Sequence, residues 1–205
     1  MLTRKDEISI EKNAKTATLN VNNIMESARF RKINGTTIEN VAQYVKDYFK
    51  SKIENNIGDE FEIFIGTDSQ RVRRGRLTLY ATVICLYTVG KGAHIIFTRT
   101  KRDDIGPTKK KVGNRKGEDP NLFNRLWWEV DYTTQVANYL KENGVFIGHG
   151  VVQVHLDVSA NPENKSNIAY KAAVGYVEAM GYNARCKPSA PAASYASDML
   201  IRSGI

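Results

Sequence analysis

Apolar positions change their period several times along the chain, and each change marks an element. Ile38, Val41, Val45, Tyr48/Phe49 and Ile53 recur at helical spacing up to Gly58, and Thr36 with Glu39 forms a capping box ahead of them. At Phe61, Ile63 and Ile65 the period drops to two, predicting a strand that stops at Gly66-Thr67-Asp68. Two further β-rich runs, Leu77 to Tyr87 and Ala93 to Thr98, follow through short Gly-containing turns, so the three strands read as an antiparallel meander. Leu122, Leu126, Val130, Thr133, Ala137 and Leu140 then keep a helical stripe that ends at Asn143-Gly144. Val151, Val152, Val154, Leu156 and Val158 read as a buried strand. After Asn161-Pro162 comes a helix expected to pack through Ile168, Ala172, Gly175, Tyr176 and Ala179. Tyr182 to Lys187 adds a short strand, and Ser189 with Pro191 opens a last helix through Ile201, ended by Gly204. Residues 1–28 are polar. Their one alternating piece, Ala17 to Val21, suits an edge strand but supplies no core.

The predicted order is helix, three strands, helix, strand, helix, strand, helix. This is an α/β chain with a five-stranded mixed sheet in spatial order 3-2-1-4-5, helices on both faces, an N-terminal helix and an extended arm. Such an order is found in ribonuclease H-like folds. The expected organisation is an arm at 1–28 and one domain at 29–205, and no period of repeat length interrupts it.

Composition adds little until charge is located. The chain has 205 residues, 41% hydrophobic and 25% charged, which suits one ordinary globular domain. No apolar run is long enough for a membrane span, and the opening MLTRKDEISIEKN lacks the apolar core of a signal peptide, so the expected setting is cytoplasmic. Cys85 and Cys186 form no zinc-type cluster and read as buried reduced thiols. The net charge of +8 is unevenly placed: residues 71–76 carry +4, residues 99–116 carry +6, and the rest of the chain sums to −2. A concentrated basic field draws polyanions, and phosphate neutralisation dominates nucleic-acid affinity. Arg71, Arg73, Arg74 and Arg76 in the first segment, with Lys101, Arg102, Lys109, Lys110, Lys111, Arg115 and Lys116 in the second, are therefore candidate nucleic-acid contacts, read as two loops.

Acids supply the candidate chemistry. Asp68 closes the first strand of the meander and Asp157 the fourth strand, each at the end of an apolar run. With those strands adjacent, both carboxylates meet at one edge. Glu129 borders the buried stripe of its helix, and Asp198 lies beside Met199, Leu200 and Ile201 on the last helix. Four carboxylates from four elements can converge. Crowded carboxylates take up protons or bind a cation, and hard oxygen ligands favour Mg²⁺ or Mn²⁺. Two such ions about 3.5–4 Å apart support phosphodiester hydrolysis without a histidine or cysteine nucleophile.

Several pieces together carry a resemblance: Ile65-Gly66-Thr67-Asp68-Ser69-Gln70, Gly90-Lys91-Gly92-Ala93, Glu129, Leu156-Asp157, Gly175-Tyr176-Val177 with Met180-Gly181, and Lys187-Pro188 with Ala192-Ala193-Ser194 and Asp198. From about Phe30 onward the chain resembles the YkuK-like family of uncharacterised ribonuclease H-like proteins. The resemblance implies the ribonuclease H-like fold, with Asp68, Glu129, Asp157 and Asp198 in its four metal-site positions. Gln70 stands where proofreading exonucleases of that superfold need a second acid, which favours an endonuclease-like or junction-cleaving activity.

Other residues are given structural readings. His155 shares a face with Asp157 but is read chiefly as a packed strand histidine, and His94 as structural; His149 sits at the wrong end of its strand. Trp127 or Trp128, next to Glu129, could stack on a base, and Ser69 and Gln70 could steer Asp68. Two functions follow. The first is a Mg²⁺- or Mn²⁺-dependent nuclease acting on RNA or DNA, the basic segments holding phosphate. The alternative is a non-catalytic ribonuclease H-like module of a homo-oligomer or larger assembly, a phage virion being one candidate, joined through residues 1–28 and 101–120.

Overall fold

Alternation from Phe61 onward buries Phe61, Ile63, Ile65, Thr67 and Ser69 on one side, and this strand becomes the axis of the sheet. The fold is that of a computed structural model, which describes residues 25, 28–55, 60–72, 77–103, 121–145 and 151–202. Its strands are β1 (Phe30–Lys32), β2 (Thr37–Ile38), β3 (Phe61–Val72), β4 (Leu77–Thr88), β5 (Gly92–Asp103), β6 (Val151–Ser159) and β7 (Asn183–Lys187). The helices are α1 (Val41–Asn55), α2 (Leu122–Glu142), α3 (Asn167–Ala179) and α4 (Ser197–Arg202), the last entered through a π-helical turn at Ala192–Ala196. The single mixed sheet runs β2-β1-β5-β4-β3-β6-β7. Strands β3, β4 and β5 form the antiparallel meander, while β6 and β7 add in parallel beside β3.

Among the described residues the sheet has seven strands where five were expected. The five from β5 to β7 keep the expected 3-2-1-4-5 order, and the additional pair is a small hairpin. Ile38, expected on a helix, pairs with Phe30, and Arg31 pairs with Phe97 at the β5 edge. The capping box at Thr36 and Glu39 is not used: the side chain of Asn40 accepts the Gln43 N–H at 2.9 Å, and α1 starts at Val41. Strands of two and three residues carry too few alternating positions to show a period, so the hairpin was hidden behind a plausible helix start.

The two faces are unequal. Ile63, Ile65, Ile84, Leu86, Val154 and Leu156 join the apolar sides of α1, α2 and α3 in the larger core. On the reverse, Ala81, Val83, Cys85 and Phe97 meet Leu200 and Ile201 of α4. The expected packing side of α3 is shifted by one residue: Ala169, Ala173 and Val177 are buried, whereas Ile168 is 62% exposed. Small apolar residues on adjoining sides of that helix leave the choice of side to tertiary packing. Cys85 is buried and Cys186 half-buried; both are free thiols.

Candidate metal centre

Strand β3 does not stop at Asp68, as its sequence suggested, but stays paired with β4 as far as Val72↔Leu77. What stops there is the other ladder: the parallel β3–β6 pairing ends at Gly66↔His155. Asp68 and Asp157 each lie two residues past that last pair, so they hold equivalent positions on one face where the two strands part. The β6–β7 register also shifts between Leu156 and Ser159, a bulge that contains Asp157. Bulges re-aim side chains at the ends of ladders.

Glu129 comes from α2. Its position in the helix stripe buries it, 3% exposed, against the end of β3. One carboxylate oxygen accepts the Ser69 hydroxyl at 2.6 Å and an Arg125 N–H at 3.2 Å. Arg125 also reaches the Ser69 carbonyl and hydroxyl oxygens, at 3.0 and 2.7 Å. Oε2 of Glu129 is buried with no hydrogen-bond partner among the described residues. Behind it, the Thr133 hydroxyl lies 2.8 Å from both the Thr67 hydroxyl and the Glu129 carbonyl, and Thr67 meets Thr82 at 2.9 Å. These buried hydroxyls fix the helix against the strand.

Oxygens of Asp68, Glu129 and Asp157 all lie within 4.8 Å of one another. Asp198, the fourth expected member, stands outside this group: it is 36% exposed and accepts the Arg202 Nε–H at 2.8 Å. It is nevertheless close enough for its charge to raise the pKa of Asp68.

Electrostatics follow from the crowding. Burial, then the charge of Asp157, push the Asp68 carboxyl up to about 7, against the lowering effect of the Ser69 N–H, which it accepts at 2.7 Å. Burial, then Asp68, hold Glu129 well above the usual carboxylate range. Asp157 is treated differently. Lys187 donates to its Oδ2 at 2.7 Å and the Ser194 hydroxyl donates to its Oδ1 at 3.0 Å. Ser194 is delivered by the π-helical turn, which rests so closely on β3 that a Cβ on Gly66 would come within 2.5 Å of the Ala193 nitrogen.

The family now has direct support. A family model described as Ribonuclease H-like matches residues 40–201. The chain belongs to the ribonuclease H-like family. No curated protein and no solved structure matches it. In ribonuclease H-like proteins divalent metals are the usual partners of such carboxylates, and the donor set here fits them. All three groups offer hard oxygens, two have raised pKa values, and Glu129 presents a buried oxygen without a partner among the described residues.

The remaining site expectations divide. Arg71 and Arg102 lie on strands rather than loops, both paired with Thr78 in one row across the sheet, and Lys101 pairs with Leu79. Arg73, Arg74, Arg76, Lys109, Lys110, Lys111, Arg115 and Lys116 lie outside the described residues, as do His149, Gly204 and the Ala17–Val21 segment. His155 is packed: it stacks on Phe64 at 4.7 Å, its Nδ1 accepts the Ala192 N–H, and burial lowers its pKa to about 4. His94 stacks on Tyr48 and meets the Tyr44 hydroxyl at 2.8 Å. Sequence reasoning gave no role to Arg125, Lys187 or Ser194. The i, i+4 spacing of Arg125 and Glu129 was a readable signal, whereas Lys187 and Ser194 reach Asp157 only through the bulge and the π-helical turn.

Proposed function

We propose that the protein is a divalent-metal-dependent nuclease that hydrolyses phosphodiester bonds of RNA or DNA. One observation carries this reading: three carboxylates from β3, α2 and β6 share one small volume, and the innermost has an oxygen without a partner among the described residues. Asp68, Glu129 and Asp157 would hold Mg²⁺ or Mn²⁺ as a two-metal site, with Asp198 completing one coordination sphere. Ions bound there supply Lewis-acid polarisation of a phosphoryl oxygen and a lowered pKa for water.

The chain's own groups do the positioning. Ser69 and Arg125 hold one oxygen of Glu129 and leave the other without a hydrogen-bond partner among the described residues. Lys187 and Ser194 orient Asp157 and offset its charge. His155, neutral and stacked, supports the strand rather than exchanging protons. Arg71, Lys101 and Arg102, with the basic residues of 73–76 and 109–116, hold the phosphate backbone in this reading. The finer placement in the YkuK-like family, an arm at 1–28 beside a domain at 29–205, and a cytoplasmic setting belong to the same proposal. No described helix is long and apolar enough to cross a membrane. The assembly-module reading depends on residues 1–28 and 101–120, most of which lie outside the described residues, and nothing described favours it.

The test is cleavage of labelled RNA, RNA–DNA hybrid, branched DNA and single-stranded DNA with Mg²⁺ or Mn²⁺, run beside Asp157→Asn. Wild type should cut at least one substrate, with the variant slower by about 100-fold or more. Equal signals from the two proteins would overturn the reading.

A further inference from the structure

The face of the sheet that carries Ser69 continues past the apolar core into polar ground. Between the first turns of α2 and the outer ends of β4 and β5 lies a cavity of about 370 Å³. Trp127, Trp128 and Tyr80 supply its aromatic surface, and Asn121, Asn124 and Asp103 its neutral amides and one carboxylate. Arg102 and Arg125 also line it. Arg102 is held as a flat plate: its guanidinium carbon sits 3.5 Å from the Trp128 ring centroid, and its Nη1 donates to the Tyr132 hydroxyl at 3.3 Å. Arg125 leads from this cavity to Glu129, which places the cavity beside the metal centre.

A site built only for phosphate gains nothing from a carboxylate on its wall. A nucleobase needs what is present: a planar surface to stack on, and amides and a carboxylate for its polar edge. Guanidinium planes stack on bases as aromatic rings do, and the Arg102–Trp128 pair is such a plane fixed in advance. We propose that this cavity is a base-binding subsite, taking one unpaired nucleobase of a single-stranded segment against the Arg102–Trp128 stack, next to the point of cleavage. The proposal rests on the nuclease reading for its biological use but is measurable without catalysis.

The test uses the full chain in EDTA. The protein has two tryptophans, so Trp127→Phe leaves Trp128 as the sole reporter. Its fluorescence is titrated with a short oligothymidylate and with an abasic strand of equal length and charge. The base-bearing strand should quench Trp128 and bind about ten-fold tighter than the abasic one, within the range of a single base stack. Arg102→Lys keeps the charge and loses the plane, so most of that preference should vanish. Asn124→Ala, at an exposed position, should weaken the base-bearing strand alone by a smaller factor, and circular dichroism checks the fold of each variant.

Equal affinity for the two strands, no binding of either, or a full preference retained by Arg102→Lys would each overturn the subsite. Failures of the two proposals are separable. Metal-dependent cleavage with no base preference removes the subsite alone. A base preference without any cleavage removes the nuclease reading alone.

Discussion

The two halves of β3 obey opposite rules. From Glu62 to Gly66 the strand is flanked on both sides by complete ladders, and Ile63 and Ile65 are fully buried in the larger core. From Thr67 to Val72 its only ladder among the described residues is with β4, and Asp68 stands where β6 has parted from it, within reach of Glu129 and Asp157. One half stabilises the fold and the other gives up local stability to place charge. The lesson is that the site is made by the end of a single ladder, with Gly66 as the boundary residue.

That contrast can be broken deliberately. The largest effect is expected in the apolar half: Ile65→Ala should cost about 2–5 kcal/mol in urea unfolding while leaving Mn²⁺ affinity, measured by calorimetry, close to wild type for the folded fraction. At the boundary, Gly66→Ala should cost about 1–3 kcal/mol by overpacking and also weaken Mn²⁺ binding, because the π-helical turn that carries Ser194 must move away from β3. A boundary variant that loses stability but keeps full metal affinity would contradict the link between the two halves.

In the polar half the expected effects depend on pH. Asp68 has a folded pKa of about 7 against an ordinary value of 3.8. Between those values the native state holds a proton that the unfolded state has lost, so metal-free stability falls as pH rises through this window. Melting temperature in EDTA should therefore drop from about pH 4 to about pH 7, and Asp68→Asn should flatten the drop. With Mn²⁺ present the trend should reverse, since the ion binds the deprotonated form. Lys187→Met should tighten Mn²⁺ binding several-fold in the same calorimetric assay, because the lysine already supplies a cation to Asp157 and is only part-buried. The smallest effect is expected at the exposed Arg202–Asp198 pair, where Arg202→Ala should change unfolding free energy by less than about 1 kcal/mol.

How far the sequence reveals this arrangement also follows the boundary. Period two at Phe61 to Ile65 and the long stripe from Leu126 to Leu140 each report one buried face, so β3, α2 and the order of the five strands from β5 to β7 were legible. The acids Asp68, Glu129 and Asp157 stood out because each interrupts an apolar pattern. The β1–β2 hairpin, the buried side of α3 and the strand character of Arg71, Lys101 and Arg102 were not legible, since those stretches are short or lack contrast between their faces. Lys187 and Ser194 belong to Asp157 only because a bulge and a π-helical turn aim them there, and neither device leaves a periodic trace.

The account stands on Asp68, Glu129 and Asp157 acting as one cation site, and the most direct trial is anomalous diffraction from crystals soaked in Mn²⁺. The expected result is an anomalous peak within coordination distance of oxygens from all three side chains, lost in Asp157→Asn. Saturating Mn²⁺ with no peak between them, or a peak that persists unchanged in that variant, would contradict it.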